Sequence, residues 1–115
     1  MPQALLAVFS NPTSAESEVE YNDWYDHVHL KDVVAVPGII AAQRFRLVDV
    51  EVEGGIPWPA HRYLAIYEVD TDDLDALSEE ISRRDGTEAM PISPAIDMSY
   101  SAFYWKPIGS RVVQS

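Results

Sequence analysis

The chain of 115 residues has no cysteine. That excludes a disulfide framework, a thiolate nucleophile and a thiolate-rich metal site, and it agrees with a cytoplasmic location. Basic residues are scarce, with 8 Lys and Arg against 19 Asp and Glu and a formal net charge of −11. Such a field repels a phosphate backbone or an anionic lipid surface, so neither nucleic acid nor membrane is expected as a partner. Long apolar runs are missing, and Met1-Pro2-Gln3-Ala4-Leu5-Leu6 has neither the basic region nor the apolar stretch of a signal peptide. There is no glycine-rich phosphate loop and no nucleophile elbow.

What is present suffices for one packed core: 47% of the residues are hydrophobic, and residues 1–115 are read as a single domain. Ala4 to Phe9 is a short apolar run closed by Ser10-Asn11-Pro12, the pattern of a buried strand. Thr13-Ser14-Ala15-Glu16 has capping-box spacing, so a helix is expected to begin there and run to about Val34, before Pro37-Gly38 stops it. A second strand is expected from Ile39 to Val50, a loop from Glu51 to Ala60, and a third strand over Tyr63 to Val69. Asp70 to Asp73 supplies N-cap candidates for a helix that carries Leu74, Leu77 and Ile81 and ends near Gly86. A last strand is expected over Ser99 to Trp105. The order β-α-β-β-α-β predicts an α+β, ferredoxin-like fold: a four-stranded antiparallel sheet with both helices on one face.

Two helices cover only one side of such a sheet. Phe103 and Trp105 in the last strand alternate with Tyr100, Ala102 and Tyr104, and Leu64 and Ile66 alternate with Tyr63, Ala65 and Tyr67, so both faces are apolar. A homodimer stacked through the sheet faces hides the second one.

The informative segment for chemistry is Glu20 to Leu30. At α-helical spacing Tyr21, Trp24, Tyr25 and Val28 form an apolar stripe, with His29 at its edge one turn from Tyr25 and Asp26, and Asn22 two turns back. His27 points away, and residues two apart on a helix do not converge on a metal, so no metal site is expected. His61 falls beside the loop before the third strand and reads as a surface residue. An imidazole at a half-buried edge exchanges protons near neutrality, and Tyr25 or Asp26 is placed to orient it. A histidine that merely caps the core edge fits the same spacing.

Glu20-Tyr21-Asn22-Asp23-Trp24-Tyr25-Asp26 with His29-Leu30, then Val36-Pro37-Gly38, Arg44-Phe45, Met90-Pro91 and Tyr104 with Pro107, resembles the EthD-like family of the dimeric α+β barrel superfamily over nearly the whole chain. The resemblance implies a ferredoxin-like subunit paired through its sheet, with a cavity between sheet and helices. It also matches the family's helix histidine to His29 and leaves His27 without a role. Lys31 stands where many relatives have proline.

From the residues and the resemblance together, the expected function is that of a small cofactor-independent enzyme of lyase, cyclase or isomerase type. It would act by proton transfer on an apolar aromatic or polyketide-like molecule. His29, Tyr25 and Asp26 are the expected catalytic residues, and Asn22, Trp24, Arg44, Tyr67 and Trp105 the expected substrate contacts. Two alternatives stand beside it: a cofactor-free monooxygenase of phenolic substrates, and a non-catalytic binding or accessory protein for a hydrophobic metabolite.

Overall fold

In the computed structural model, which describes residues 3–115, the chain runs β1 (Ala4–Ser10), α1 (Glu18–Trp24), a π-helical turn (Tyr25–His29), α2 (Leu30–Val34), β2 (Ile39–Arg46), β3 (Tyr63–Val69), α3 (Leu74–Arg84) and β4 (Ser101–Trp105). The sheet order is β2-β3-β1-β4 with every neighbour antiparallel. This is the expected ferredoxin-like α+β fold. No helix among the described residues is long and apolar enough to cross a membrane.

Strand alternation divides the side chains between two faces. Ala4, Leu6 and Ser10 of β1 and Tyr63, Ala65, Tyr67 and Val69 of β3 are buried under the helices with Tyr21, Tyr25, Val33 and Leu77. The register places Leu6 beside Tyr67 and Tyr104, which puts Tyr104 on that same face. Phe103 and Trp105 therefore point the other way and are 63% and 58% exposed, with Phe45 of β2 at 45%. The sheet's second face is apolar and, among the described residues, uncovered.

Boundaries moved where side chains bind backbone. The first helix starts at Glu18 rather than Thr13, because Ser14 and Ser17 close a turn of their own: the Ser14 amide donates to Ser17 Oγ at 3.0 Å, and Ser17 Oγ lies 2.7 Å from Thr13 Oγ1. β2 ends at Arg46, four residues early, and the chain from Val48 to Trp58 leaves the body with Val48, Val50, Val52 and Ile56 largely exposed. β4 begins at Ser101 rather than Ser99, since Asp97 Oδ1 takes both the amide and the hydroxyl of Ser99 in a tight turn. Gly38 ends the first helical arm as expected: its φ of 104° is open to glycine, and an added Cβ would lie 3.3 Å from Leu77 Cδ1.

α3 is capped by Asp73, whose Oδ1 accepts from the Ala76 amide at 3.0 Å. Of its eleven residues only Leu77 is buried. The helix meets the body through that leucine, with Leu74 and Ile81 partly buried beside it, and a cavity opens under its remaining face.

Candidate functional site

The helical arm over β1 and β3 is not a uniform α-helix. A straight α-helix would set residues 24 and 29 about 140° apart around the axis at 3.6 residues per turn. The π-helical turn pairs positions five apart instead, so Trp24 and His29 come onto one face and their rings stack, with centroids 4.5 Å apart and planes at 25°. Tyr25 meets the same imidazole edge-on at 5.2 Å. The sequence places His29 at the edge of the apolar stripe; the extra residue in the turn puts it against the tryptophan.

Trp24, Tyr25, His29 and Tyr67 together line a cavity of about 390 Å³ between the helices and the β1–β4 half of the sheet. Its lining is mainly apolar, with Leu6, Val33, Met90 and Ile96 among the contributors. His29 and Tyr67, both lining residues, each carry a buried polar atom without a hydrogen-bond partner, His29 Nδ1 and the Tyr67 hydroxyl, and the hydroxyl lies near enough to the Tyr25 phenol for each to shift the other. Burial disfavours the charged imidazolium and lowers the His29 pKa to about 4, so the ring is neutral at pH 7. Burial also raises the Tyr25 phenol to about 12, with the neighbouring Tyr21 adding to the shift, and raises Tyr67 further still. His29, Tyr25 and Tyr67 are thus held in their neutral forms.

The remaining candidates lie elsewhere. Asp26 does not orient His29. Its carboxylate accepts from Arg44 Nη1 at 2.8 Å, while Asn22 Oδ1 accepts from Arg44 Nη2 at 2.9 Å. The Arg44 guanidinium sits over the rings of Tyr25, Tyr63 and Tyr21, at 4.4, 5.2 and 5.3 Å from their centroids. Tyr63 donates in turn to Glu18, and Tyr21 shares a 2.6 Å hydrogen bond with Ser10. This cluster fastens the helical arm to β1, β2 and β3, and of its members Tyr25 alone also lines the cavity. Trp105 belongs to the uncovered sheet face. His61 is tied down, its Nε2 lying 2.7 Å from the Ser99 carbonyl.

One stretch of the lining escapes sequence reasoning. Ser78 and Ser82 lie four apart on α3 and Asp85 follows at its C-terminal end, and all three reach the cavity. The spacing was readable, but three polar residues on a helix read equally as a solvated face.

No protein-family model matches the chain, and no curated protein matches it. Among solved structures, a point mutant of MhuD with two manganese protoporphyrin IX bound per active site superposes with a TM-score of 0.61 at 16% identity, covering 96% of this chain and 99% of that one. An ethyl tert-butyl ether D (EthD) family protein from Bacillus halodurans aligns over 94% of this chain and all of its own, with a TM-score of 0.46 at 14% identity. At such identities the likeness concerns fold. The chain is an α+β protein of ferredoxin-like fold, the subunit architecture that the EthD-like resemblance implies.

Proposed function

We propose that the cavity takes an apolar, ring-bearing carbonyl compound and that the protein moves a proton on it without a cofactor. The observation that carries this reading is that two residues of one largely apolar lining, His29 and Tyr67, each hold a buried polar atom without a hydrogen-bond partner, Nδ1 and Oη. A buried group without a partner costs about 1–3 kcal/mol, and a ligand that satisfies it recovers that cost.

The chemistry follows from the protonation states. A neutral imidazole accepts the proton of a C–H bond next to the carbonyl, and the bonding pair moves into the enolate. The Tyr67 hydroxyl donates to the oxygen on which charge develops. The free imidazole is a weak base, its conjugate acid having a pKa of about 4. An enolate formed beside it in a poorly solvated site favours the imidazolium and raises that pKa as the reaction proceeds. Return of the proton to another carbon completes an isomerisation; attack of the enolate carbon on a second carbonyl, whose alkoxide oxygen takes the proton back from the imidazolium, completes a cyclisation. Tyr25 positions the imidazole through its edge-on contact, and Trp24 through the stack.

The test uses 2-tetralone, an apolar two-ring ketone with an acidic C–H, in deuterated buffer. The protein should accelerate deuterium exchange at that carbon, and His29→Ala should lower the catalysed rate by about 10²- to 10⁴-fold. Exchange that is unchanged in His29→Ala refutes the assignment. An oxygen-free repeat that abolishes turnover points to the monooxygenase chemistry instead.

A second reading is favoured by the Trp24–His29 stack itself, which holds the imidazole in packing on one of its faces. On this reading the protein binds an apolar metabolite without transforming it, and 2-tetralone binds without exchange.

A second copy of the chain is the partner we propose for the uncovered sheet face. Phe45, Phe103 and Trp105 are each 45% exposed or more. The radius of gyration of 15.5 Å exceeds the roughly 13 Å of a compact domain of this length.

A further inference from the structure

The cavity has an inner polar pair and a second polar set at its mouth, and the two differ in chemistry. Tyr67 is 1% exposed, whereas Ser82 and Asp85 are exposed and sit on the solvent side of the lining, with Tyr100 and Met98 also exposed there. Ser78, half-buried, continues the α3 stripe inward. The nearby Arg83 and Arg84 side chains are both committed to Glu80. Among the described residues, none of the Ser78, Ser82 and Asp85 side chains has a hydrogen-bond partner within the chain.

The charged groups on this lining are limited to Asp85; no lysine or arginine contributes to it. Arg83 and Arg84 are held by Glu80, and Arg44 is spent on Asp26 and Asn22. An anionic ligand would therefore meet neutral phenols and imidazole inside, a carboxylate at the mouth, and the long-range field of a chain with net charge −11. A carboxylate at the mouth only accepts hydrogen bonds, so it rewards a ligand that donates one.

Resting on the reading of the cavity as a ligand site, we propose that Asp85 and Ser82 determine specificity. They select ligands that are polar at both ends: an oxygen for the Tyr67–His29 pair inside, an apolar ring body, and an O–H or N–H donor at the end left at the mouth. Anionic ligands are rejected. α3 is the specificity wall and the π-helical turn the reactive wall of one site.

Calorimetric titration of three naphthalenes tests the assignment: 1-naphthol, 1,5-dihydroxynaphthalene and 5-hydroxy-1-naphthoate. The diol should bind about tenfold more tightly than 1-naphthol, the gain of one hydrogen bond to a charged acceptor, and the naphthoate should bind more weakly than either. In Asp85→Ala the diol should lose that advantage while 1-naphthol keeps its affinity; Ser82→Ala should reduce the advantage in part. Both positions are exposed, so folding is retained, which thermal unfolding verifies. Equal affinities for diol and naphthol, or an advantage that survives Asp85→Ala, overturn the specificity assignment and leave the site reading intact. Failure of every naphthalene to bind overturns both.

Discussion

His29 makes the stability of this fold depend on pH in a way that can be worked out in advance. Its ordinary pKa of 6.5 falls to about 4 in the folded chain because burial penalises the charged ring. The folded value lies below the unfolded one, so the unfolded chain binds the proton more tightly. The stabilising contribution is whole above about pH 6.5 and is lost as pH falls toward 4. Integrating the linkage between the two values gives a loss of about 2 kcal/mol between about pH 7.5 and about pH 5.0, and a little under 1 kcal/mol of it by about pH 6. That window stays above the sequence pI of about 4.4, where precipitation would intrude. The assay is urea unfolding at several pH values for the native chain and for His29→Phe, which keeps a ring against Trp24 but does not titrate. Other groups that titrate are common to both proteins and cancel in the difference. The native chain should lose about 2 kcal/mol more than the variant over the interval. Parallel curves would refute the claim that the imidazole is buried and neutral.

Tyr67→Phe removes a buried hydroxyl that has no partner, so it should leave stability unchanged or raise it by about 1 kcal/mol while weakening 1-naphthol binding; a destabilised variant with intact binding would contradict the role given to that hydroxyl. Arg44→Met deletes a guanidinium that joins three tyrosine rings to Asn22 and Asp26, and should cost about 1–3 kcal/mol in urea unfolding. The ion pair to half-exposed Asp26 supplies little of that, since solvent screens it. Placing aspartate at both Phe103 and Trp105 should convert a dimer to a monomer in light scattering coupled to size-exclusion chromatography. A native chain that runs as a monomer would remove the second copy from the proposed assembly.

The sequence carries the element order because each element states its own period. β3 alternates cleanly from Tyr63 to Val69, and Pro37-Gly38 marks a stop that the backbone honours with a positive φ. Helix and strand starts are less legible at Ser14, Ser17 and Ser99, where hydroxyls close local turns instead of capping a helix. The site was half legible: Trp24, Tyr25, His29 and Tyr67 meet at the cavity. Asp26, Asn22 and Arg44 form a different cluster, because Arg44 arrives from β2 across a distance in sequence that helix spacing does not encode. The stack of Trp24 on His29 depends on a π-helical turn, which a 3.6-residue period does not anticipate.

The single buried contact that fixes α3 has a kinetic meaning. A helix held to the body by one buried residue, Leu77, with Leu74 and Ile81 partly buried beside it, opens at lower free energy than the sheet beneath it, whose central strands are paired on both sides. An opening of α3 ahead of the sheet would make that helix the door to the cavity. A ligand bridging from Tyr67 to Asp85 would act as the latch, so occupancy of the site and closure of the door become one equilibrium.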